Sequence, residues 1–305
     1  MTAATPSIGL ASRFVNILLG IKPLYNLAKY RARKMMIDRA ESLGVPWRDR
    51  VRELSTYEWD SRFEAICDPN LAYPQYYLKP FHAYEEGNLS WQCAWEVEPA
   101  SYAVHSGIWP EAGAQGDTRL RQCYHDALKQ QLSVPPQDIL DLGCSVGMST
   151  FALQELYPQA RVTGIDLSPY FLAVAQYNSE QRHAAVTWKH AAAEATGLPD
   201  ASFDLVSACL LFHELPQDAA KAIFTEAKRL LRPGGHFAVM DMNPRSQVYA
   251  QMPPYILTLL KSTEPYLDKY FTLDIEQALI DAGFERPTIT PTTPRHRAVV
   301  ARVAS

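Results

Sequence analysis

The run Ile139-Leu140-Asp141-Leu142-Gly143-Cys144-Ser145-Val146-Gly147-Met148-Ser149-Thr150 constrains this chain more than any other feature. A short apolar stretch ends in a carboxylate, passes through a glycine-bearing bend and enters a segment of helix-compatible residues, which predicts a buried strand turning into a helix. The same alternation continues to the C-terminus. Strands are expected at 138–142, 161–165, 185–190, 203–211 and 236–241, with helices at 147–157, 169–182 and 217–231. Pro233-Gly234-Gly235 makes the turn into the fifth strand, and the stretch around Pro253-Pro254 reads as irregular. A helix over 273–282 ends at Gly283, and two last strands, near 285–290 and 296–303, suit an edge hairpin joined by the Pro291–Pro294 turn. Strands and helices alternating at these lengths imply a mostly parallel sheet of seven strands covered on both faces.

The character of the chain changes near residue 115. Residues 13–42 read as helical with an interruption at Gly20 to Pro23, and residues 47–67 as a further helix carrying Trp47, Val51, Leu54, Trp59 and Phe63. An irregular aromatic stretch follows from Tyr73 to Trp109, with Tyr76, Tyr77, Phe81, Tyr84, Trp91, Trp95 and Tyr102, which suit either an apolar acceptor pocket or the core of an additional helical layer. Trp109 through Gly116 reads as a linker, and Asp117 as the cap of a helix running to about Leu132. The expected organisation is therefore a mainly helical N-terminal cap, 1–115, acting as a lid, and an α/β domain, 116–305. The chain's 305 residues suffice for one domain plus such a cap.

Charge narrows the partners. The net charge of −4 gives no reason to expect nucleic acid. It is split unevenly, +6 over residues 1–50 and −10 over the rest. The basic stretch 13–39 is read first as a solvated helix face; weak peripheral contact with an anionic membrane, through Phe14, Leu18 and Leu19 beside the cations, and a partner protein are the other readings. The apolar stretch Phe14 to Ile21 falls far short of the roughly 18 residues of a membrane span and lacks a cleavage site, so a cytoplasmic location is expected. Five widely spaced cysteines without a C-x-x-C fit a reducing compartment and no metal site.

Three features of the α/β part point to a nucleoside ligand. Open α/β sheets bind ligands beyond the carboxyl ends of their strands, where the Gly143–Gly147 bend sits. Asp141 is placed to orient that bend or to accept from a ligand ammonium group. Asp166 ends the next strand, 19 residues after Gly147, where an acid takes both ribose hydroxyls; Ser168 is available for the helix-capping role that Asp166 would otherwise fill. Ser145 and Met148 break the G-x-G-x-x-G spacing that admits a pyrophosphate, and no Gly-Lys-Ser/Thr follows, so neither a dinucleotide nor a P-loop ligand fits.

On these residues the whole of 138–303 resembles the class I S-adenosylmethionine-dependent methyltransferases, of the broad group that includes the ubiquinone and menaquinone methyltransferases. Asp141 to Gly147 matches the family's first motif, and Asp166 its ribose acid. Ala193-Glu194 through Phe203-Asp204 resembles the adenine-side loop, and Leu230 through Gly235 the turn into strand five. The resemblance implies a Rossmann-like fold and S-adenosylmethionine as cofactor, with S-adenosylhomocysteine as product. It assigns Asp141, Gly143, Cys144, Ser145, Gly147, Asp166, Leu167, Ala193, Glu194 and Leu210 to cofactor binding, Leu167 covering one face of the base. Two positions depart from the pattern: Ser145 replaces the middle glycine, and Ala192 stands where an Asp or Asn usually contacts the adenine amine.

The sulfonium is already activated, so the protein's task is alignment and exclusion of water. His213 and Glu214, just after strand 203–211, are the candidate bases, His213 with an ordinary pKa of about 6.5; capping or loop bonding is the alternative role of each, and His82 and Tyr84 are weaker candidates. The absence of Asn-Pro-Pro-Tyr disfavours amide or adenine nitrogen as acceptor. The expected acceptor is O or C of a hydrophobic, aromatic or quinone-like small molecule. A non-catalytic binding or assembly protein on the same fold, and a protein methyltransferase with an open acidic groove, are the competing readings. The oligomeric state and the acceptor's identity are not legible in the sequence.

Overall fold

The computed structural model describes residues 22–81 and 84–304. Seven strands, β1 (Asp138–Leu142), β2 (Arg161–Asp166), β3 (Val186–His190), β4 (Phe203–Cys209), β5 (Leu231–Met242), β6 (Thr288–Pro291) and β7 (His296–Arg302), form one sheet in the order β3-β2-β1-β4-β5-β7-β6. β1 to β5 pair in parallel, and β7 pairs antiparallel with both β5 and β6. The chain walks outward from β1 to β3 and then crosses back to β4. The carboxyl ends of β1 and β4 therefore flank a topological switch point, where such sheets open a crevice.

Alternating side chains feed two cores, as a period of two dictates. Ile139, Val162, Leu205 and Met240 pack on one side with Leu120, Tyr124 and Leu128 of α5 (Gly116–Gln131). Leu140, Leu142, Ile165, Val206 and Val239 pack on the other with Ile223, Phe224 and Ala227 of α8 (Gln217–Leu230). Phe212, Phe224 and Phe237 are fully buried and in mutual ring contact, each contributing about 1.5–3 kcal/mol. Helices α6 (Met148–Leu156) and α7 (Pro169–Arg182) complete the crossovers. Ser168 caps α7, its side chain accepting from the Phe171 N–H, as expected.

The N-terminal part is helical: α1 (Lys22–Ser42), α2 (Trp47–Ser55), α3 (Asp60–Ile66) and α4 (Trp91–His105). The expected helix over 47–67 is thus two helices. The stretch expected to be irregular contains α4, whose apolar residues serve a helical layer rather than a loop. Trp59, Phe63, Trp91 and Tyr170 meet in tilted and edge-to-face contacts at ring distances of 4.8–5.8 Å. This layer is tied to α7 by bonds from Arg62 to Glu180 and from Arg50 to Asn178. In place of a linker, Pro110–Gln115 forms a 3-10 turn that runs straight into α5. Asp117 lies inside α5 rather than capping it. Its carboxylate bonds His105 and Arg121 instead.

Towards the C-terminus, three short helices, α9 (Gln247–Ala250), α10 (Pro254–Thr263) and α11 (Leu267–Phe271), replace the irregular stretch, and α12 (Ile275–Asp281) is the helix expected over 273–282. β5 begins at Leu231, so Pro233-Gly234-Gly235 lies within it as an irregularity in its pairing. Of the basic stretch 13–39, residues 13–21 lie outside the described residues. Within α1, Arg33 pairs with the fully buried Glu96, and Lys34 with Asp38. Among the described residues no helix is long and apolar enough to cross a membrane.

Candidate active site

The bend after β1 owes its shape to three left-handed residues in five: Gly143 (φ 62°), Ser145 (φ 51°) and Gly147 (φ 93°). Each glycine is required for a packing reason. A Cβ at Gly143 would lie 2.7 Å from the Leu211 side chain, and one at Gly147 would lie 2.7 Å from Phe151 and 2.8 Å from Trp188. Gly147 thus lets the loop pack against Trp188 of β3. Asp141, fully buried beneath the bend, accepts from Ser149 Oγ (2.6 Å) and Thr150 Oγ1 (2.7 Å) through Oδ2. Burial pushes its pKa up to about 6 against those bonds.

Asp166 lies beside the bend. Oδ2 accepts from the Ser145 N–H at 2.8 Å, and Oδ1 from the Ser168 N–H at 2.8 Å and the Tyr77 hydroxyl at 3.4 Å. Burial outweighs these bonds and raises its pKa to about 6. Across the crevice Glu194 Oε1 accepts from the Tyr76 hydroxyl at 2.7 Å. The N-terminal part thus sets two adjacent tyrosines on the two acids assigned to a nucleoside.

A single cavity of about 790 Å³ gathers most of the sequence-derived residues. Gly143, Cys144, Ser145, Asp166 and Leu167 line it from β1 and β2; Ala193 and Glu194 follow β3, and Leu210, His213 and Glu214 follow β4. Asp141 and Gly147 stand behind the wall. Leu210 adopts φ 59°, a left-handed conformation rare for a branched side chain and stored at sites that the surrounding structure holds firmly. Beyond these groups the walls are largely apolar, with Val104, Ile108, Met242, Tyr249, Met252 and Leu260.

His213 is not the ordinary imidazole expected from sequence. Its Nδ1 lies 2.7 Å from Oδ1 of Asp241, whose other oxygen accepts from the Phe212 and His213 N–H groups. Burial alone would lower the His213 pKa, but the Asp241 charge and hydrogen bond, with Glu264 and Glu214 nearby, push it up to about 10. Asp241, though fully buried, is held below the usual carboxylate range by His213 and three backbone N–H bonds. At neutral pH the pair is an imidazolium–carboxylate ion pair. Tyr84 lines the cavity, but its hydroxyl is committed to Glu96 at 2.6 Å; His82 lies outside the described residues.

Sequence reading placed Tyr76 and Tyr77 only in the aromatic lid and passed over His105, Asp241 and His296. Asp241 carried a usable signal, since it closes an apolar strand as Asp141 and Asp166 do; the others are brought to the site by tertiary packing alone. All five cysteines are free thiols, and among the described residues no group of three or more His, Cys, Asp or Glu is placed to hold a metal ion.

Three buried polar atoms bear on the cofactor: Asp141 Oδ1, Ser145 Oγ and Glu194 Oε2 have no hydrogen-bond partner within the protein. Unsatisfied buried groups of this kind cost about 1–3 kcal/mol each. Ser145 and Glu194 carry theirs on the cavity wall and Asp141 behind the bend, a set of polar groups that fits the ammonium and hydroxyl donors of S-adenosylmethionine.

Comparison with known proteins agrees. A methyltransferase-domain family model matches residues 139–235. The chain is 32% identical over 162 residues to an uncharacterized methyltransferase of Synechocystis, covering 53% of this chain and 73% of that protein. It is 36% identical over 118 residues to a demethylmenaquinone methyltransferase of Thermus thermophilus, covering 39% and 53%. Coverage of the curated relatives' own lengths ranges in these first matches from about a third to about three quarters. A structure of geranyl diphosphate methyltransferase with GPP and sinefungin shares the fold at a TM-score of 0.50, with 13% identity, over 62% of this chain and 78% of that one. Motifs, sheet order and relatives together place the chain in the class I S-adenosylmethionine-dependent methyltransferases.

Proposed function

We propose that this protein methylates an oxygen of a hydrophobic, ring-containing small molecule, with residues 22–115 forming part of the wall and lid over the acceptor. The observation that carries the reading is that one cavity joins Ser145, Asp166 and Glu194 to His213, the partner of Asp241, through largely apolar walls. A largely apolar cavity of this volume suits a small molecule. S-adenosylmethionine supplies an electrophilic methyl group without further activation by the protein.

The chain's own residues then have three tasks. Asp166 and Glu194 hold the nucleoside, with Leu167 and Ala193 against the base, once the Tyr76 and Tyr77 hydroxyls give way or share those oxygens. Leu210, Cys144 and the apolar walls exclude water. His213 manages the acceptor's proton at Nε2. Because Asp241 keeps the imidazole protonated, the reactive state is an acceptor oxyanion against the imidazolium, equal in proton count to a neutral imidazole facing a hydroxyl. Reaching it from a neutral phenol or enol releases one proton to solvent.

Titration calorimetry with S-adenosylhomocysteine tests the foundation. Wild-type protein is expected to bind it, and Asp166→Ala to lose at least tenfold in affinity, since a buried charge-assisted bond contributes about 1.5–3 kcal/mol. Equal affinity of the two proteins would remove Asp166 from the site, and no binding to wild type would remove the function.

A further inference from the structure

The outer end of the cavity is built differently from its floor. Most of the lining side chains are buried or half-buried, but Tyr30 of α1, Val104 of α4 and Ile256 of α10 are 64%, 51% and 38% exposed. A side chain that both lines a cavity and faces solvent stands at its mouth. Single exposed apolar side chains are ordinary on a protein surface, whereas several gathered at one opening mark an interaction site.

The helix on one side of this mouth has two distinct faces. Ala40 and the half-buried Met36 and Ile37 pack with Val45, Trp47 and Ala103, and Arg33 pairs with Glu96. Positions 33, 36, 37 and 40 thus form one helical stripe, spent on the protein's own interior. Leu27, Tyr30, Arg31 and Lys34 repeat the same spacing on a different face, and all four are exposed. This outer stripe interleaves large apolar groups with cations. The acids of α1, Asp38 and Glu41, lie in its C-terminal part and are both held by Arg48. On the opposite lip, Tyr255 is exposed beside Ile256, and α10 carries Lys261 and no acid.

Charge selects the partner. Residues 1–50 carry +6 against −10 over the rest of the chain, so the face that presents α1 is the one drawn to an anionic layer. The sequence just before α1, outside the described residues, is largely apolar from Phe14 to Ile21. Apolar groups and cations interleaved at helical spacing suit a helix lying in a headgroup layer, the apolar groups at the acyl boundary and the cations on phosphates.

We infer that the mouth of the cavity docks on an anionic lipid surface, with α1 along the headgroups and Tyr30, Val104 and Ile256 opening towards the acyl chains. The docking is independent of the reaction; entry of the acceptor by this route rests on the methyltransferase reading above.

Co-sedimentation with vesicles of POPC alone, and of POPC with about 30% POPG, tests the inference at about 50 mM and about 500 mM salt. Wild-type protein is expected to partition at least about tenfold more strongly into the anionic vesicles at low salt, and to lose most of that preference at high salt. Arg31→Ser is expected to weaken anionic binding about fivefold. Leu27→Ser/Tyr30→Ser and Tyr255→Ser/Ile256→Ser, one pair on each lip, are each expected to weaken it about tenfold. Val134→Ser is the control: this side chain is equally open to solvent but precedes β1, at the edge of the sheet opposite the crevice, and its loss is expected to change nothing.

Binding to neither vesicle, which would give this face to a protein partner, overturns the inference. So does equal binding to both vesicles at low salt, binding unchanged by either apolar pair, or an equal loss in Val134→Ser. The wild-type comparison stands whether or not a variant folds. Vesicle binding without binding of S-adenosylhomocysteine would overturn the methyltransferase reading and leave the docking in place.

Discussion

Replacing Asp241 by Asn leaves the shape of the site almost unchanged and removes one buried charge, so it isolates the electrostatic role of the His213 pair. Four hydrogen bonds converge on this carboxylate: the Phe212, His213 and Met242 N–H groups and His213 Nδ1, at 2.7–3.2 Å. An amide sets an NH2 group against at least one of those donors and leaves the imidazole without a counter-charge. Removing one partner of a buried ion pair costs about 3–5 kcal/mol. The cost must depend on pH. The folded-state pKa of His213, about 10, stands above its ordinary value near 6.5, so the pair's contribution is full below about pH 6.5 and is lost as pH rises through 10.

Urea unfolding of wild type and Asp241→Asn from pH 5 to 10 measures this directly. The stability difference is expected to be largest at pH 5–6 and to shrink steadily towards pH 10. In the variant, burial without the carboxylate drops the imidazole to or below its ordinary pKa. NMR titration of the His213 ring then has its midpoint near or below 6.5 instead of near 10. A stability difference independent of pH, or a wild-type His213 titrating near 6.5, would refute the ion-pair assignment. Methyl transfer to a hydroxyl acceptor follows the same logic: wild-type activity should climb between pH 7 and 10 as the pair of acceptor hydroxyl and imidazolium loses one proton to solvent.

Two further substitutions test the geometry. Gly147→Ala places a Cβ 2.7–2.8 Å from Phe151 and Trp188 at a φ of 93°, and is expected to destabilise by about 2–4 kcal/mol in urea unfolding; a loss under 1 kcal/mol would mean that the bend relaxes freely. Tyr77→Phe removes the hydroxyl that faces Asp166 at 3.4 Å, and should tighten S-adenosylhomocysteine binding by about two- to tenfold if that hydroxyl competes with the ribose. Weaker binding by the variant would make Tyr77 a ligand contact instead.

The sequence was most informative where structure is local. Strand, bend and helix after Ile139 are set by short apolar runs, left-handed turn residues and the Ser168 cap, and each interaction spans only a few residues. For that reason the seven strands, their mostly parallel pairing and the C-terminal hairpin were legible in the sequence, whereas the strand order was not. The N-terminal part was less so, because the aromatic residues from Trp59 to Trp95 are compatible with a loop or a helix until their packing partners on α7 are known.

What only the tertiary structure decided is the chemistry of the acceptor end. His213 carries the same side chain in either description, but its proton affinity is set by Asp241, 28 residues away on β5. Tyr77 and Asp166 lie 89 residues apart and meet across the crevice, while His105 and His296 come from opposite ends of the chain to one wall. Electrostatic coupling falls with distance through space and rises with burial. Neither quantity is written along a chain; both are determined by which elements the sheet and its helices press together.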